Sequence, residues 1–560
     1  MGDPERALLA SRADRGALLI EEERQLQEAI RISRFDQEDV STASEAGSET
    51  ASEDESVVET SSTKRKAEED LLSKRPKAAR PSVSVGPPSS TMKFPDGAIR
   101  ITRTPGRQHE KNCVNLKDVI DKRNLVSACI YAFFIANEEV FCHLPFSRSS
   151  NAVPIYVGRD PNMDQMVPIA CEQAGITIKG KLTRKQLETV SASLDQLHKK
   201  QYGKNYHTFY AWSSGSSHSK ILVLLYPEFL RLVITSCNLM DIDTVEGDNH
   251  WYIHDLPKRS SQIKGCPTHF EENLLAHLRA LGSPEDFIDS IEGRYDYSKV
   301  KAHLVTSQPG TWSGAKAEEQ GLLRLRRVIK DLDLDLAKKA ESNKLQLEVC
   351  AASIGNLNTK WLNGFSDCAL GKANLAVAAA DSKVPRLKLF YPTVGDVKGA
   401  HESAQDGASN IGCHTRPWAS APNDIKNIFH HYESKDAGCL FHQKLIMAYN
   451  PQDSNSLPYF VYLGSANFSQ SAWGALEPDK SKKANVETGG TKLVKMSNFE
   501  CGVVIAGHLI TGLLETGTKN WTDGIVPFHQ DAARYNIRKD KPWNDPRWVE
   551  GYRDDWNGGS

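Results

Sequence analysis

Three features are missing from the sequence, and each absence excludes a class of protein. There is no excess of positive charge, since 69 lysines and arginines face 71 aspartates and glutamates, so any site for a polyanion must be local. No stretch reaches the roughly 18–20 apolar residues that span a bilayer, and the N-terminus lacks the order of a signal peptide. The eleven cysteines include no CxxC pair, which argues against a zinc module or a disulfide framework. We therefore expect an intracellular protein without membrane contact.

Aromatic residues are almost absent from the first 91 of the 560 positions, where Phe35 is the only one. Such a segment cannot bury enough apolar surface to offset the entropy of ordering it. We expect residues 1–91 to form a disordered tail. The globular remainder is expected to divide into two catalytic halves, 92–315 and 316–560, with a hinge around 310–320.

One part of the tail, residues 20–36, has helical periodicity. An acidic start is followed by apolar, small and hydroxyl residues on one helical face. The pattern resembles a ubiquitin-interacting motif, and the alternative is an amphipathic helix without that partner. The resemblance implies that ubiquitin is contacted by Leu26, Ala29, Ile30 and Ser33.

Two basic clusters lie between residues 64 and 80, at 64–66 and 74–77. They resemble a bipartite nuclear import signal, and a solvated run of charge is the alternative. The resemblance implies a nuclear protein with an import receptor as a partner.

An H-x-K pattern occurs twice in the globular part, each time followed by a strand, a turn, a second strand and an asparagine. The strands are expected at 221–226 and 230–235 in the first copy, and at 445–449 and 459–463 in the second. Residues i and i+2 of a strand share a face, so each histidine should project beside its lysine, with the asparagine brought alongside by the returning strand. The two sets are His218, Lys220 and Asn238, and His442, Lys444 and Asn467.

These residue types suit phosphoryl transfer when the two halves face each other. Lysine ammonium groups and asparagine amides stabilise negative charge on phosphate oxygens, a role that a metal fills elsewhere. Of two opposed imidazoles, one can attack phosphorus while the other protonates the leaving oxygen and then activates water. We expect no metal and no cofactor.

The doubled motif resembles the phospholipase D superfamily, whose G-S-x-N string is present at 464–467. The aspartate that usually follows H-x-K in that superfamily is replaced by Leu225 and Tyr449, as in the tyrosyl-DNA phosphodiesterase family. Further short sequence segments resemble those of that family, in the same order along the chain, across residues 99 to 556. They lie at 267–271, 306–310, 353–357, 390–394, 469–476 and 499–503.

The family resemblance implies an α/β fold of two similar domains. Each is a mixed sheet flanked by helices, and a pseudo-twofold axis relates them with the active site between. It implies that His218 is the nucleophile and His442 the proton donor and acceptor, while the lysines and asparagines hold the phosphate. Glu500 would orient a catalytic imidazole. The implied substrate is a DNA 3′ end, single-stranded, nicked or duplex, that carries a tyrosyl peptide left by topoisomerase I, and we expect a monomer.

The resemblance also implies that small polar residues on loops hold the DNA strand, here Ser353, Asn356 and Ser469. A nearby tryptophan, Trp473, either stacks on a base or belongs to the core.

Three positions depart from the family pattern. An aromatic before the first histidine is replaced by Ser214, and a small hydroxyl residue before Asn238 by Cys237. A glutamine placed behind the histidines is replaced by Asn249, which is one methylene shorter. None of these changes removes a proton-transfer group, so we expect altered rate or preference with activity retained.

Two other functions are compatible with parts of the sequence. One is another phosphodiesterase of the superfamily, acting on phospholipid or on 5′ ends, against which the missing aspartates argue. The other is a ubiquitin-binding repair scaffold that only binds DNA ends. The intact histidines, lysines and asparagines of both copies argue against that second alternative.

Overall fold

The computed structural model describes residues 91–544, apart from 150–151, 177–181, 214, 374, 376–382, 402–404, 414, 454–455 and 481–489. The tail predictions, namely disorder in 1–91, the ubiquitin-interacting-like helix at 20–36 and the basic clusters at 64–80, lie outside the described residues. Ser214 also lies outside them.

Two large mixed sheets form the framework of the described part of the chain. The first sheet contains β1 Ala98–Thr102, β2 Cys113–Val114, β3 Ser127–Ala132, β4 Ile155–Arg159, β5 Tyr206–Tyr210, β6 Ile221–Leu225, β7 Phe229–Thr235 and β8 His250–Pro257. The second sheet contains β9 His303–Ser307, β11 Gln346–Ala351, β13 Leu387–Phe390, β15 Phe429–His430, β16 Lys444–Tyr449, β17 Phe460–Gly464 and β20 Glu500–Ala506. Two small sheets are formed by β10 Gly310–Trp312, β18 Ala475–Pro478 and β19 Thr491–Met496, and by β12 Ser353–Ile354 and β14 Gly412–Cys413.

The two large sheets share one strand order, which makes the internal repeat visible in the fold. The first runs β5-β4-β3-β6-β7-β8-β1-β2 and the second β15-β13-β11-β16-β17-β20-β9. Strand directions agree as well. The first three strands of each order are parallel to one another. Each following pair of neighbouring strands is antiparallel, as far as β1 in the first sheet and β9 in the second. Seven strands of one sheet therefore correspond to seven of the other. The expected fold of two similar α/β halves is confirmed.

Helices flank both sheets, and one apolar core joins them. The core cluster includes Leu232 and Tyr252 from the first sheet together with Leu347 and Tyr462 from the second. The helices are α1 Leu116–Val119, α2 Asn137–Phe141, α3 Met166–Gln173, α4 Arg184–Tyr202, α5 His269–Ala280, α6 Glu285–Ile291, α7 Gly321–Asp331, α8 Leu336–Glu341, α9 Thr359–Ala369, α10 Val394–Lys398, α11 Thr415–Ser420, α12 Asn423–Lys426, α13 Gln470–Trp473 and α14 Trp521–Ile525.

Both H-x-K hairpins form as the sequence predicts, as β6 with β7 and β16 with β17. The sequence also favours one helical run from Leu322 to Leu336, but the structure divides this segment into α7 and α8. Asp333 and Asp335 have φ of 47° and 49°, the left-handed conformation that ends a helix and that aspartate tolerates better than most residues.

Strand β9 belongs to the second sheet although it precedes residue 315. The change of sheet therefore falls between Pro257 and His303, earlier in the chain than the boundary expected at 315/316. The domain limits themselves stay a prediction. Across the described residues, no helix is both long and apolar enough to cross a bilayer.

Candidate active site

Two short parallel bridges join the halves and bring the motifs together. Ser217, one residue before the first H-x-K histidine, pairs with Phe499, just before β20. Phe441, one residue before the second, pairs with Asp248, two residues before β8. Each motif is thus held against the corresponding strand of the other half, and the sequence-predicted residues meet at the junction.

The two motif histidines face each other across this junction. His218 is 8% and His442 5% exposed, so both are shielded from bulk water. Their ring centroids lie 6.3 Å apart and the ring planes are inclined by 76°. The two imidazoles are therefore close enough for one phosphoryl group to contact both.

The two motif lysines have matching environments in the two halves. Lys220 Nζ donates to the backbone oxygen of His218 at 2.8 Å, and Lys444 Nζ donates in the same way to the oxygen of His442. Both side chains are almost completely buried. Burial lowers the pKa of Lys220 to about 8, and burial together with the charge of Lys220 holds the pKa of Lys444 well below its usual value. A bound phosphate would raise the pKa of both lysines by supplying negative charge.

A hydrogen bond from a backbone N–H helps to hold each motif asparagine. Asn467 accepts a hydrogen bond at Oδ1 from the backbone N–H of Ser353 at 3.0 Å, which leaves its Nδ2 to donate elsewhere. In the other half, the backbone N–H of Asn238 donates to Asp243 Oδ2 at 2.6 Å.

Glu500 of the second half is paired with His218 of the first, 282 residues apart in sequence. The Oε2–Nδ1 distance is 3.0 Å, and Glu500 also accepts hydrogen bonds from Ser465 Oγ at 2.5 Å and Asn498 Nδ2 at 3.0 Å. Burial lowers the pKa of His218 to about 4, although the carboxylate of Glu500 acts in the opposite direction. A carboxylate that holds Nδ1–H leaves Nε2 free to face the cleft, as a nucleophile requires.

Asp243 is a site residue that the sequence analysis missed. It lies on a single π-helical turn, Ile242–Glu246, between β7 and β8, and its Oδ2 is 2.8 Å from Nδ1 of His442. At this distance the two side chains form an ion pair once His442 is protonated. Cys237 Sγ donates to the backbone oxygen of Asp243 at 3.3 Å, so this departure from the family pattern supports the turn. The available signal was an acidic residue between Asn238 and β8.

Asn249 occupies in the first half the position that Glu500 occupies in the second. Its Oδ1 accepts a hydrogen bond from Ser236 Oγ at 2.6 Å, as Glu500 accepts one from Ser465. Its Nδ2 donates to the backbone oxygen of Asp243 at 2.9 Å.

The loops expected to hold DNA lie side by side. Ser353 and the neighbouring Ile354 pair with the loop at Phe468, and Ser469 is adjacent to Gly355. Asn356 is exposed, and its backbone oxygen accepts a hydrogen bond from Gln470 at 3.4 Å. The structure therefore brings Ser353, Asn356 and Ser469 into one surface beside Asn467.

Two aromatic residues have clear positions. Trp473 is 1% exposed and packs against Phe365 and Tyr462, so it belongs to the core and does not stack on a base. Phe133, which the sequence analysis did not single out, lies with its ring 5.4 Å from that of His218 and 5.7 Å from Lys220 Nζ. It forms an apolar wall and contributes a cation–π contact to the lysine.

The acidic, histidine and cysteine side chains of the described residues form no group of three that could hold a metal ion. The positive charge of the site comes from its lysines.

A family model described as tyrosyl-DNA phosphodiesterase matches residues 98–545. Tyrosyl-DNA phosphodiesterase 1 of Arabidopsis thaliana is 26% identical over 300 residues, covering 48% of this chain and 45% of the relative. Its Drosophila melanogaster counterpart is 25% identical over 335 residues, covering 56% and 53%. The chain thus spans about half the length of these curated relatives. The solved yeast tyrosyl-DNA phosphodiesterase superposes with a TM-score of 0.56 at 14% identity, covering 80% of this chain and 100% of that one, and supports the fold.

Proposed function

Because this chain belongs to the tyrosyl-DNA phosphodiesterase family, we propose that it is a DNA-repair phosphodiesterase acting on blocked 3′ ends. Its substrate is the phosphodiester bond between a DNA 3′ end and a tyrosyl residue left by topoisomerase I, together with other 3′ blocking groups. The observation that carries the proposal is the pair of buried histidines on opposite sides of one cleft, with the lysine of each motif beside them.

The first step transfers the phosphoryl group to the protein. Nε2 of His218 attacks phosphorus, and the bond from phosphorus to the tyrosyl oxygen breaks. That oxygen takes its proton from Nε2 of His442, and the tyrosyl peptide leaves. The supporting geometry is Glu500, which holds Nδ1 of His218 at 3.0 Å and directs the other ring nitrogen into the cleft.

The second step returns the protein to its starting state. His442, now neutral, takes a proton from a water molecule, whose oxygen attacks phosphorus as the phosphorus–nitrogen bond to His218 breaks. The products are a DNA 3′-phosphate and the free enzyme with His442 protonated again. One group thus serves as acid and then as base, which suits an imidazole.

The charges of the site favour this sequence. Without substrate, Lys220 and Lys444 face two carboxylates, Glu500 and Asp243, and burial keeps both histidines neutral by lowering the pKa of each. A phosphodiester adds one negative charge, which protonation of His442 balances. Lysine and asparagine donors hold the phosphate oxygens, so we propose that the reaction needs no metal.

The experiment is a cleavage assay on oligonucleotides with EDTA present. A 3′-phosphotyrosyl end should be converted to a 3′-phosphate, while a 5′-phosphotyrosyl end and a phospholipid should remain intact. Cleavage of the lipid or of the 5′ end in preference would contradict the proposal, and loss of activity in EDTA would contradict metal independence.

The two histidine roles are separated by trapping the covalent species. His218→Ala should abolish the adduct, whereas His442→Asn should let it accumulate because no base activates water. Acid-labile adduct at the normal rate in the His218 variant would show that the roles are assigned wrongly.

We also propose that the tail directs the protein to the nucleus through an import receptor and binds ubiquitin through the motif at residues 20–36. The support is the sequence pattern of residues 20–36 and 64–80. Titration of the full chain with ubiquitin, followed by NMR, should shift the signals of Leu26, Ala29 and Ile30, and unshifted signals would contradict the binding.

A further inference from the structure

The pseudo-twofold relation gives a definite expectation for the partner of each catalytic histidine. Gly464 of β17 pairs with Gly502, and the corresponding Thr235 of β7 pairs with Trp251. Glu500 lies two residues before Gly502 and Asn249 lies two residues before Trp251, so Asn249 corresponds to Glu500. Since Glu500 reaches across to His218, symmetry places the side chain at 249 next to His442.

The side chain at 249 is used differently. Asn249 is completely buried and directs its amide to Ser236 and to the backbone oxygen of Asp243, within its own half. It is also shorter than Glu500 and uncharged. Its two hydrogen bonds hold the π-helical turn from which Asp243 projects.

Asp243 supplies the carboxylate from that turn. It is 1% exposed, and its Oδ2 lies 2.8 Å from His442 Nδ1 and 2.6 Å from the backbone nitrogen of Asn238. Asn410 Nδ2 donates to its Oδ1 at 3.5 Å. π-Helical turns are rare and are often found at functional sites.

We propose that Asp243 is the positioning residue of His442. Both catalytic histidines then work as carboxylate–imidazole pairs, although the two carboxylates come from positions that the pseudo-twofold axis does not relate. The inference rests on the proposed function, because it assigns a role within that reaction. Asp243 does not touch the substrate. It acts through Nδ1 of His442, whose opposite nitrogen gives and takes the proton.

The charged groups around the pair set the direction of the effect. His442 is faced by Asp243 from the turn, by Lys444 from its own strand and by Lys220 from the other half. Both lysines disfavour the imidazolium form, and Asp243 is the group that favours it. Removing the carboxylate therefore makes His442 a weaker base and leaves less of it protonated at any pH.

The test compares Asp243→Asn with the wild-type full chain. The amide oxygen can still accept the Asn238 N–H, so this variant removes the charge and keeps that contact. We expect adduct hydrolysis to slow about 10–100-fold, the cost usual for losing a group that orients an active-site imidazole. With saturating substrate, whose phosphate keeps both lysines charged, the alkaline limb of the pH profile for adduct formation should move to lower pH because the pKa of His442 falls. Glu348→Gln serves as the control, because the carboxylate of Glu348 is buried in the second sheet and binds Tyr449 and Lys388; its pH limb should not move.

A variant that moves the carboxylate from position 243 to position 249 provides a second measurement. In Asp243→Asn/Asn249→Glu, the new glutamate occupies the position equivalent to Glu500, with Ser236 in the place of Ser465. We expect it to restore the alkaline limb and at least part of the hydrolysis rate. If Asp243→Asn does not fold, Asn249→Glu alone decides, because a second carboxylate beside His442 should move the limb to higher pH.

The outcomes separate the two proposals. An inactive wild-type chain on every 3′-blocked oligonucleotide would overturn the proposed function. An active wild type with an unmoved pH limb in Asp243→Asn would overturn the role of Asp243 alone. Loss of activity that is equal at every pH, without rescue by the glutamate, would show that Asp243 only supports the backbone.

Discussion

Replacing Glu500 by glutamine tests how the nucleophile is oriented. Glu500 is 1% exposed and its Oε2 is 3.0 Å from His218 Nδ1. Glutamine has the same shape but one acceptor oxygen, whereas Glu500 accepts from His218 and Ser465 at Oε2 and from Asn498 at Oε1. The change therefore removes the negative charge and at least one hydrogen bond to it. Loss of one hydrogen bond to a charged group costs about 1.5–3 kcal/mol, which is a factor of about 10–150 in rate.

The loss should fall on adduct formation, because that step needs Nε2 of His218 aimed at phosphorus. A second effect follows from charge. Glu500 raises the pKa of Lys220 and of Lys444 against the opposing effect of burial. Without its charge both lysines lose their protons at lower pH, and the alkaline limb of kcat/KM should move downward.

The assay is single-turnover cleavage of a fluorescent 3′-phosphotyrosyl oligonucleotide between pH 5 and 9. Glu348→Gln is the matched control, because Glu348 is equally buried in the second sheet and binds Tyr449, Lys388 and Gln530. It should be destabilised without a change in the pH profile. Adduct formation in Glu500→Gln at the wild-type rate, or a limb that moves upward, would refute the reasoning.

Further predictions concern pH and stability. Burial lowers the pKa of Lys220 to about 8, so the lysine charge that holds phosphate is lost above that pH. The kcat/KM of the wild type should then fall about tenfold per pH unit. A flat profile to pH 10 would contradict this. Trp473→Ala should lower the free energy of unfolding in urea by about 3–5 kcal/mol, and the partly buried Trp312→Ala by clearly less; equal losses would contradict the core position. Arg107→Gln leaves buried Asp248 without its cation and should cost about 3–5 kcal/mol in the same measurement; an unchanged free energy of unfolding would contradict this.

The chemical groups of the site could be predicted from the sequence, because each copy of the motif is local. His218 and Lys220 are two residues apart on one strand end, and hydrophobic runs with a turn between them define the hairpin that returns Asn238. The structure confirms both hairpins. The family resemblance also pointed to Glu500, which no local pattern distinguishes from an ordinary acidic residue at a strand end.

Contacts between the halves could not be predicted from local sequence patterns. The pairing of Asp243 with His442 depends on a bridge at Asp248 and Phe441 that positions two distant segments. The π-helical turn that carries Asp243 leaves no periodic signal in five residues. The break in the expected helix at 322–336 depends on two left-handed aspartates, a conformation that the amphipathic pattern alone does not indicate.

The bridges at Ser217 with Phe499 and at Asp248 with Phe441 are related by the same pseudo-twofold axis, yet they belong to one polypeptide. In a symmetric homodimer a substitution appears at both equivalent positions, so two histidines could not acquire different neighbours. Within one polypeptide that constraint is absent, because a substitution beside one histidine leaves the other half unchanged. Each imidazole can then specialise separately, with a glutamate on a strand serving one and an aspartate on a turn serving the other. The covalent linkage of the halves therefore allows the two proposed roles, nucleophile and acid–base catalyst, to diverge.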